Sequence, residues 1–245
     1  MNEVAEHDHF HAVLFDLDGT LLQAQMTEFI PRYVHALASY CADKIDPQRF
    51  EKSLLHGIRR LINIEGDGRH TNEERLYIIL ADELGMAPEL LQESLAYFEQ
   101  NGLEDLHELI HPVPAAQQIV AACNAHDIPL VLATNPVFPR FMIDARMRWA
   151  GLEASSFTHV TSYENSRYCK PQLGYFRDIA ELLGLEPEQC LMVGNDLSHD
   201  LAAVGVGMTA YLVDTWLVER EGPSWPCEYR GDHAALRRFL AEHVC

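Results

Sequence analysis

Apolar residues along this chain follow two rhythms. Short unbroken apolar runs recur at 12–15, 128–133, 157–161, 190–193 and 210–213, and each reads as a strand. The runs lack strict polar alternation, so both faces of the sheet they form are expected to be covered. Between them, segments 115–126, 139–150, 172–183 and 197–204 carry apolar residues at helical spacing. Gly151 and Gly184 stand where helix C-caps belong, and Pro171 stands just before a first helical turn. Strand alternating with helix predicts an α/β fold, a doubly wound, Rossmann-like parallel sheet.

Residues 23–108 break that rhythm, with no convincing strand pattern. Helices are expected at 28–42, 46–63, 71–84 and 88–100. Asp46 precedes Pro47 as an N-cap, and Thr71 with Glu74 forms a capping box. Gly85 and Gly102 punctuate the ends. The predicted organisation is therefore an α/β core of residues 1–22 and 109–245 with an all-helical insertion at 23–108.

Bulk properties narrow the field. The formal net charge of −19 argues against nucleic acid and against an anionic membrane surface as partner. No apolar run is long enough to span a bilayer. Residues 1–11 carry no signal-peptide pattern, so a cytoplasmic protein is expected. The six cysteines show no C-x-x-C pair and read as reduced, packed thiols. His7, His9 and His11 alternate as a metal site might, but read better as a frayed tail leading into the first strand.

Chemistry gathers where strands end. The first run stops at Asp16-Leu-Asp18-Gly19-Thr20, the second at Thr134-Asn135, and the fourth at Gly194-Asn195-Asp196, with Asp200 four residues on. In an open α/β sheet, ligands bind just beyond the carboxyl ends of the strands. Two carboxylates one residue apart can divide nucleophile and proton donor between them. An Asp-Gly turn without chemistry is the rival account of Asp18-Gly19. Lys170, before Pro171 at the start of a helix, suits a phosphate. Asp16, Asp196 and Asn195 are hard oxygen donors of the kind Mg²⁺ takes. Gly19, Thr20 and Asn135 are candidates to hold the anion. Together these groups suit phosphoryl transfer, in which positioning and charge neutralisation supply most of the acceleration.

Asp16-Leu-Asp-Gly-Thr20, Thr134, Lys170-Pro171 and the run Gly194 to Asp200 resemble the four motifs of the haloacid dehalogenase superfamily. The helical insertion resembles that superfamily's cap, placed between its first and second motifs. The resemblance implies a Mg²⁺-dependent phosphatase of a small phosphorylated metabolite, with Asp16 as nucleophile and Asp18 as acid and base. It also implies the Asp18 carbonyl as a metal ligand. Dehalogenases usually lack the second aspartate, so Asp18 favours phosphoryl chemistry. The fourth motif usually has an acidic residue directly after its glycine, where this chain has Asn195. Asp196 is therefore expected to be the direct ligand, with Asn195 as a second and Asp200 orienting Lys170 or a metal-bound water.

Rival readings are weaker. His107-Glu-Leu-Ile-His111 matches a zinc-peptidase pattern, but Pro112 biases His111 away from helix. Gly205-Val-Gly-Met-Thr-Ala210 matches a dinucleotide fingerprint but leads from helix into strand, the reverse of the required order. Cys169, beside Lys170, is better explained by packing than by a reactive thiolate. A phosphomutase or phosphonate hydrolase would share the site, the latter needing Lys44 or Lys52 for a Schiff base. A catalytically weak binding module, with metal affinity lost at Asn195, is the alternative outside catalysis. In the insertion, Arg59, Arg60 and the loop Gly66–Arg69 are candidates to touch the leaving group.

Overall fold

The computed structural model describes residues 10–220 and 225–244; His7 and His9 lie outside them. In chain order the first half comprises β1 (Ala12–Phe15), β2 (Leu22–Ala24), α1 (Met26–Tyr40), α2 (Pro47–Asn63), α3 (Asn72–Leu84) and α4 (Pro88–Asn101). Then come β3 (Ile110–Pro112), α5 (Pro114–Ala125), β4 (Leu130–Leu132), α6 (Arg140–Trp149), β5 (His159–Val160) and α7 (Leu173–Leu183). The chain closes with β6 (Cys190–Gly194), β7 (Thr209–Val213), β8 (Tyr229–Gly231) and α8 (His233–His243).

Six strands form one parallel sheet in the order β5-β4-β1-β6-β7-β8. The order reverses at β1, so a crevice opens beyond the carboxyl ends of β1, β4 and β6, as in other doubly wound sheets. β1 is central and fully covered, with Ala12, Val13, Leu14 and Phe15 all at 0% exposure. Its even positions face the cluster with Phe176 and Met192, and its odd positions face the larger one with Leu132 and Ile119. That two-sided burial is why the strand reads as a continuous apolar run.

The helical insertion has its own apolar interior of Phe29, Phe50 and Phe98, all buried. Each ring contributes about 1.5–3 kcal/mol by leaving water. The capping box at Thr71 and Glu74 is present, and Gly85 closes α3 at φ 65. The insertion sits over the carboxyl ends of the strands. Phe138, in the loop after β4, meets Phe29 at 5.9 Å and Tyr33 at 5.6 Å between ring centres.

Three differences from the sequence reading stand out. Residues 22–24 do form a strand, β2, which pairs antiparallel with β3 so that the two connections to the insertion run side by side. The helix expected over 197–204 is a 3-10 turn at Leu201–Val206 instead. Asp196 Oδ1 accepts the backbone N–H groups of Ser198 and His199, which diverts them from a helical ladder. β8 and α8 extend the core beyond residue 214. His111 lies on β3 rather than a helix, and His107 stacks on Trp149, so the zinc-peptidase geometry is absent.

Candidate active site

The turn after β1 is tightly wound. The N–H groups of Thr20, Leu21 and Leu22 all point to the Leu17 carbonyl. Gly19 adopts φ 84, and a Cβ there would lie 2.0 Å from Asn195 Nδ2. Only glycine lets the ends of β1 and β6 approach so closely. Asp16 is thereby held on the crevice floor, its N–H bonded to the Val193 carbonyl at 2.8 Å.

Lys170 Nζ donates to Asp16 Oδ1 and to Asp200 Oδ1, each at 2.6 Å, with all three side chains buried. Asp200 thus orients Lys170, and its Oδ2 also accepts the Asp196 N–H. Gly194 leaves room for it, since a Cβ there would fall 2.1 Å from Asp200 Oδ2. Burial pushes the Asp16 carboxyl up to about 7; Lys170 opposes the rise while Asp200 and Asp18 add to it. The two carboxylates drive Lys170 above its ordinary range against the opposing effect of burial, so it is a fixed cation.

Thr134 is buried at the end of β4, its carbonyl accepting the Tyr175 and Thr161 hydroxyls. Asn135 donates its amide to the Lys170 carbonyl at 3.3 Å, which ties the two loops together, and leaves its buried Oδ1 without a partner. Asn195 Nδ2 donates to the Trp216 carbonyl. Asp196 Oδ2 accepts from Arg220 Nε at 2.5 Å, and burial is overcome there by the backbone N–H groups and Arg220, so its carboxyl lies below its ordinary range.

These groups line one cavity of about 610 Å³ between the sheet and the insertion. Asp16, Asp18, Gly19, Thr134, Asn135, Lys170, Asn195, Asp196 and Asp200 all reach it. Thr20 does not; it is buried, and its carbonyl meets His233 Nε2 at 2.7 Å. Arg59 and Arg60 are also outside the lining, since they lie on the outward face of α2 while Ile58 and Ile62 turn inward. Neither Lys44 nor Lys52 reaches the cavity; Lys44 pairs with Glu93 at the surface. A Schiff-base phosphonate hydrolase therefore has no lysine from the insertion here. Cys169 is buried and its thiol is pushed up to about 12 by desolvation, which makes it a packing group.

Three contributors were not anticipated. His199 and Arg220 line the cavity beside Asp196. Arg146, on α6, is fully buried and bonds Asp18. A signal for it exists: Arg146 falls on the apolar face of α6 with Met142 and Ile143, and a charge in such a stripe requires a buried partner.

The pattern of the family described as haloacid dehalogenase-like hydrolase matches residues 10–205. The chain belongs to that family. This hydrolase is 23% identical over 213 residues to Protein SUPPRESSOR OF QUENCHING 1, chloroplastic, of Arabidopsis thaliana, covering 85% of the chain but only 18% of that much longer protein. It is 24% identical over 207 residues to the phosphoglycolate phosphatase of Chromobacterium violaceum, covering 84% of the chain and 85% of the relative. Its fold matches L-2-haloacid dehalogenase from Xanthobacter autotrophicus with a TM-score of 0.55 at 20% identity, over 96% and 100% of the two chains. The sequence relatives thus include a phosphatase, and a dehalogenase shares the fold.

Proposed function

We propose that this hydrolase cleaves phosphate monoesters through an aspartyl-phosphate on Asp16. The observation that carries the reading is Asp16 at the end of β1, bonded to Lys170 in a cavity it shares with Asp18 and Thr134. Asp16 attacks phosphorus as the bond to the ester oxygen breaks, and protonated Asp18 delivers its proton to the leaving alkoxide. A water then attacks the phosphorus of the aspartyl-phosphate, Asp18 takes its proton, and Asp16 is regenerated with release of phosphate. Lys170 and Thr134 contact the phosphoryl oxygens, and the insertion shields the site from bulk water.

The donor set suits a magnesium ion. Four carboxylates (Asp16, Asp18, Asp196, Asp200) stand against three cations (Lys170, Arg146, Arg220), so an arriving phosphate dianion calls for added positive charge. Among the described residues no three acidic, histidine or cysteine side chains form a metal cage. Magnesium does not need one, since waters and substrate phosphate complete its shell. Asp16, the Asp18 carbonyl, Asn195 and Asp196 would hold it, and when bound it supplies charge neutralisation at the phosphoryl group. Arg220 already engages Asp196, which puts more weight on Asn195.

The test is phosphate release from p-nitrophenyl phosphate with and without Mg²⁺, in the wild type and in Asp16→Asn. The reading requires Mg²⁺-dependent release that Asp16→Asn abolishes. Chloride release from 2-chloropropionate in place of phosphate release would establish the dehalogenase chemistry instead.

A further inference from the structure

The cavity is electrically lopsided. Both fixed cations that line it, Lys170 and Arg220, belong to the sheet side and already face carboxylates there, Lys170 those of Asp16 and Asp200 and Arg220 that of Asp196. The opposite wall, supplied by the helical insertion, carries no charged side chain among the described residues. Met26, Ile30, Ile58 and Ile62 form its apolar part, extended from the core by Phe138 and Trp216, while the neutral Gln23, Gln25 and Thr27 stand at its edge on the β2–α1 connection. The arginines adjacent to this wall in sequence, Arg59 and Arg60, face away from it.

A phosphate seated against Lys170 and Thr134 directs the rest of its molecule toward that wall. A second anionic group on the substrate would meet isoleucine and methionine side chains and at most neutral polar groups there, and leave water without a compensating cation, a costly transfer. An alkyl or aryl group would gain by the same contact. We infer that the alcohol released by this hydrolase is uncharged and largely apolar, and that a carboxylate-bearing ester such as phosphoglycolate is a poor substrate. This rests on the phosphatase reading above and adds the class of leaving group to it.

The experiment compares kcat/KM for ethyl, butyl, hexyl and benzyl phosphate with that for 2-phosphoglycolate, all with Mg²⁺. The expected result is a rise of up to about fourfold for each methylene that reaches the wall, the equivalent of ~0.8 kcal/mol. Benzyl phosphate should exceed 2-phosphoglycolate by tenfold or more. Ile62→Arg, at a half-buried position, should narrow or reverse that ratio. A flat alkyl series, or phosphoglycolate turned over as fast as benzyl phosphate, would overturn the inference while leaving the phosphatase reading intact. Absence of Mg²⁺-dependent phosphate release from every ester would overturn both. The alkyl series needs no variant, so misfolding of Ile62→Arg does not shield the inference.

Discussion

Arg146 sits directly behind Asp18, its Nη1 donating to both carboxylate oxygens at 3.0 and 2.8 Å although the two residues lie 128 positions apart. The guanidinium is fully buried, with the Phe29 ring centre 5.5 Å away and the Phe138 ring centre 5.1 Å away. Its Nε and Nη2 have no hydrogen-bond partner. A charge so poorly satisfied by the core is held chiefly by Asp18 and by the faces of two rings. Arg146 therefore fixes the orientation of the proposed acid, and Phe29 ties that contact to the insertion.

Arg146→Met should lower kcat for alkyl phosphates by about 10- to 100-fold, in line with loss of a positioned proton donor. The loss should be much smaller for p-nitrophenyl phosphate, whose leaving group needs little protonation, and Arg146→Lys should restore part of it. An equal loss on both esters would mean a purely structural role.

Asp16→Asn should abolish turnover and at the same time stabilise the metal-free protein. A carboxyl raised from 3.8 to about 7 on folding supports the folded state while protonated. That support is complete below about pH 3.8 and is lost as pH rises through about 7. The metal-free wild type should therefore lose up to about 4 kcal/mol relative to Asp16→Asn across this window. Urea midpoints measured in EDTA at several pH values give the comparison; parallel curves for the two proteins would refute it.

Lys170→Met removes the cation shared by Asp16 and Asp200 and leaves two buried carboxylates facing each other. Breaking a buried pair in this way costs roughly 3–5 kcal/mol. The cost should shrink as pH falls, since Asp16, without the lysine that opposes the rise in its pKa, takes up a proton at higher pH than in the wild type. Thermal unfolding across pH reads this directly, and a deficit independent of pH would contradict it.

Gln172, the N-cap residue of α7, reaches across to the insertion: Nε2 donates to the Leu61 and Ile62 carbonyls at 2.9 and 3.0 Å, and Oε1 accepts the Gly66 N–H at 2.9 Å. Gln172→Leu leaves these partners unsatisfied and should loosen the end of α2 over the cavity. KM should rise several-fold with kcat little changed, and amide exchange over residues 61–66 should accelerate. Unchanged exchange there would show that the insertion is held by other contacts.

Much of this architecture was legible along the chain. Two-sided burial wrote β1 and β6 as continuous apolar runs, and caps at Asp46, Thr71 and Gly184 marked helix ends, because both effects act within a few residues. The strand-end residues Asp16, Asp18, Thr134, Asn135, Lys170, Asn195, Asp196 and Asp200 could be placed on one cavity because a parallel sheet brings its carboxyl ends together whatever its loops do. β2, β3 and β8 escaped notice, since strands of three residues carry too little pattern to distinguish them from loop.

What only the tertiary structure decided was which long-range partners meet and which way each side chain turns. Arg146 finds Asp18, and Arg220 finds Asp196, through packing between segments remote in sequence. Arg59 and Arg60 are neighbours of Ile58 and Ile62, yet the rotation of α2 about its axis turns the isoleucines into the cavity and the arginines out of it. Sequence alone specified the strand-end side of the site, because its chemistry sits at positions dictated by the sheet. The character of the opposite wall depends on how one amphipathic helix is seated, and that is set by contacts across the fold.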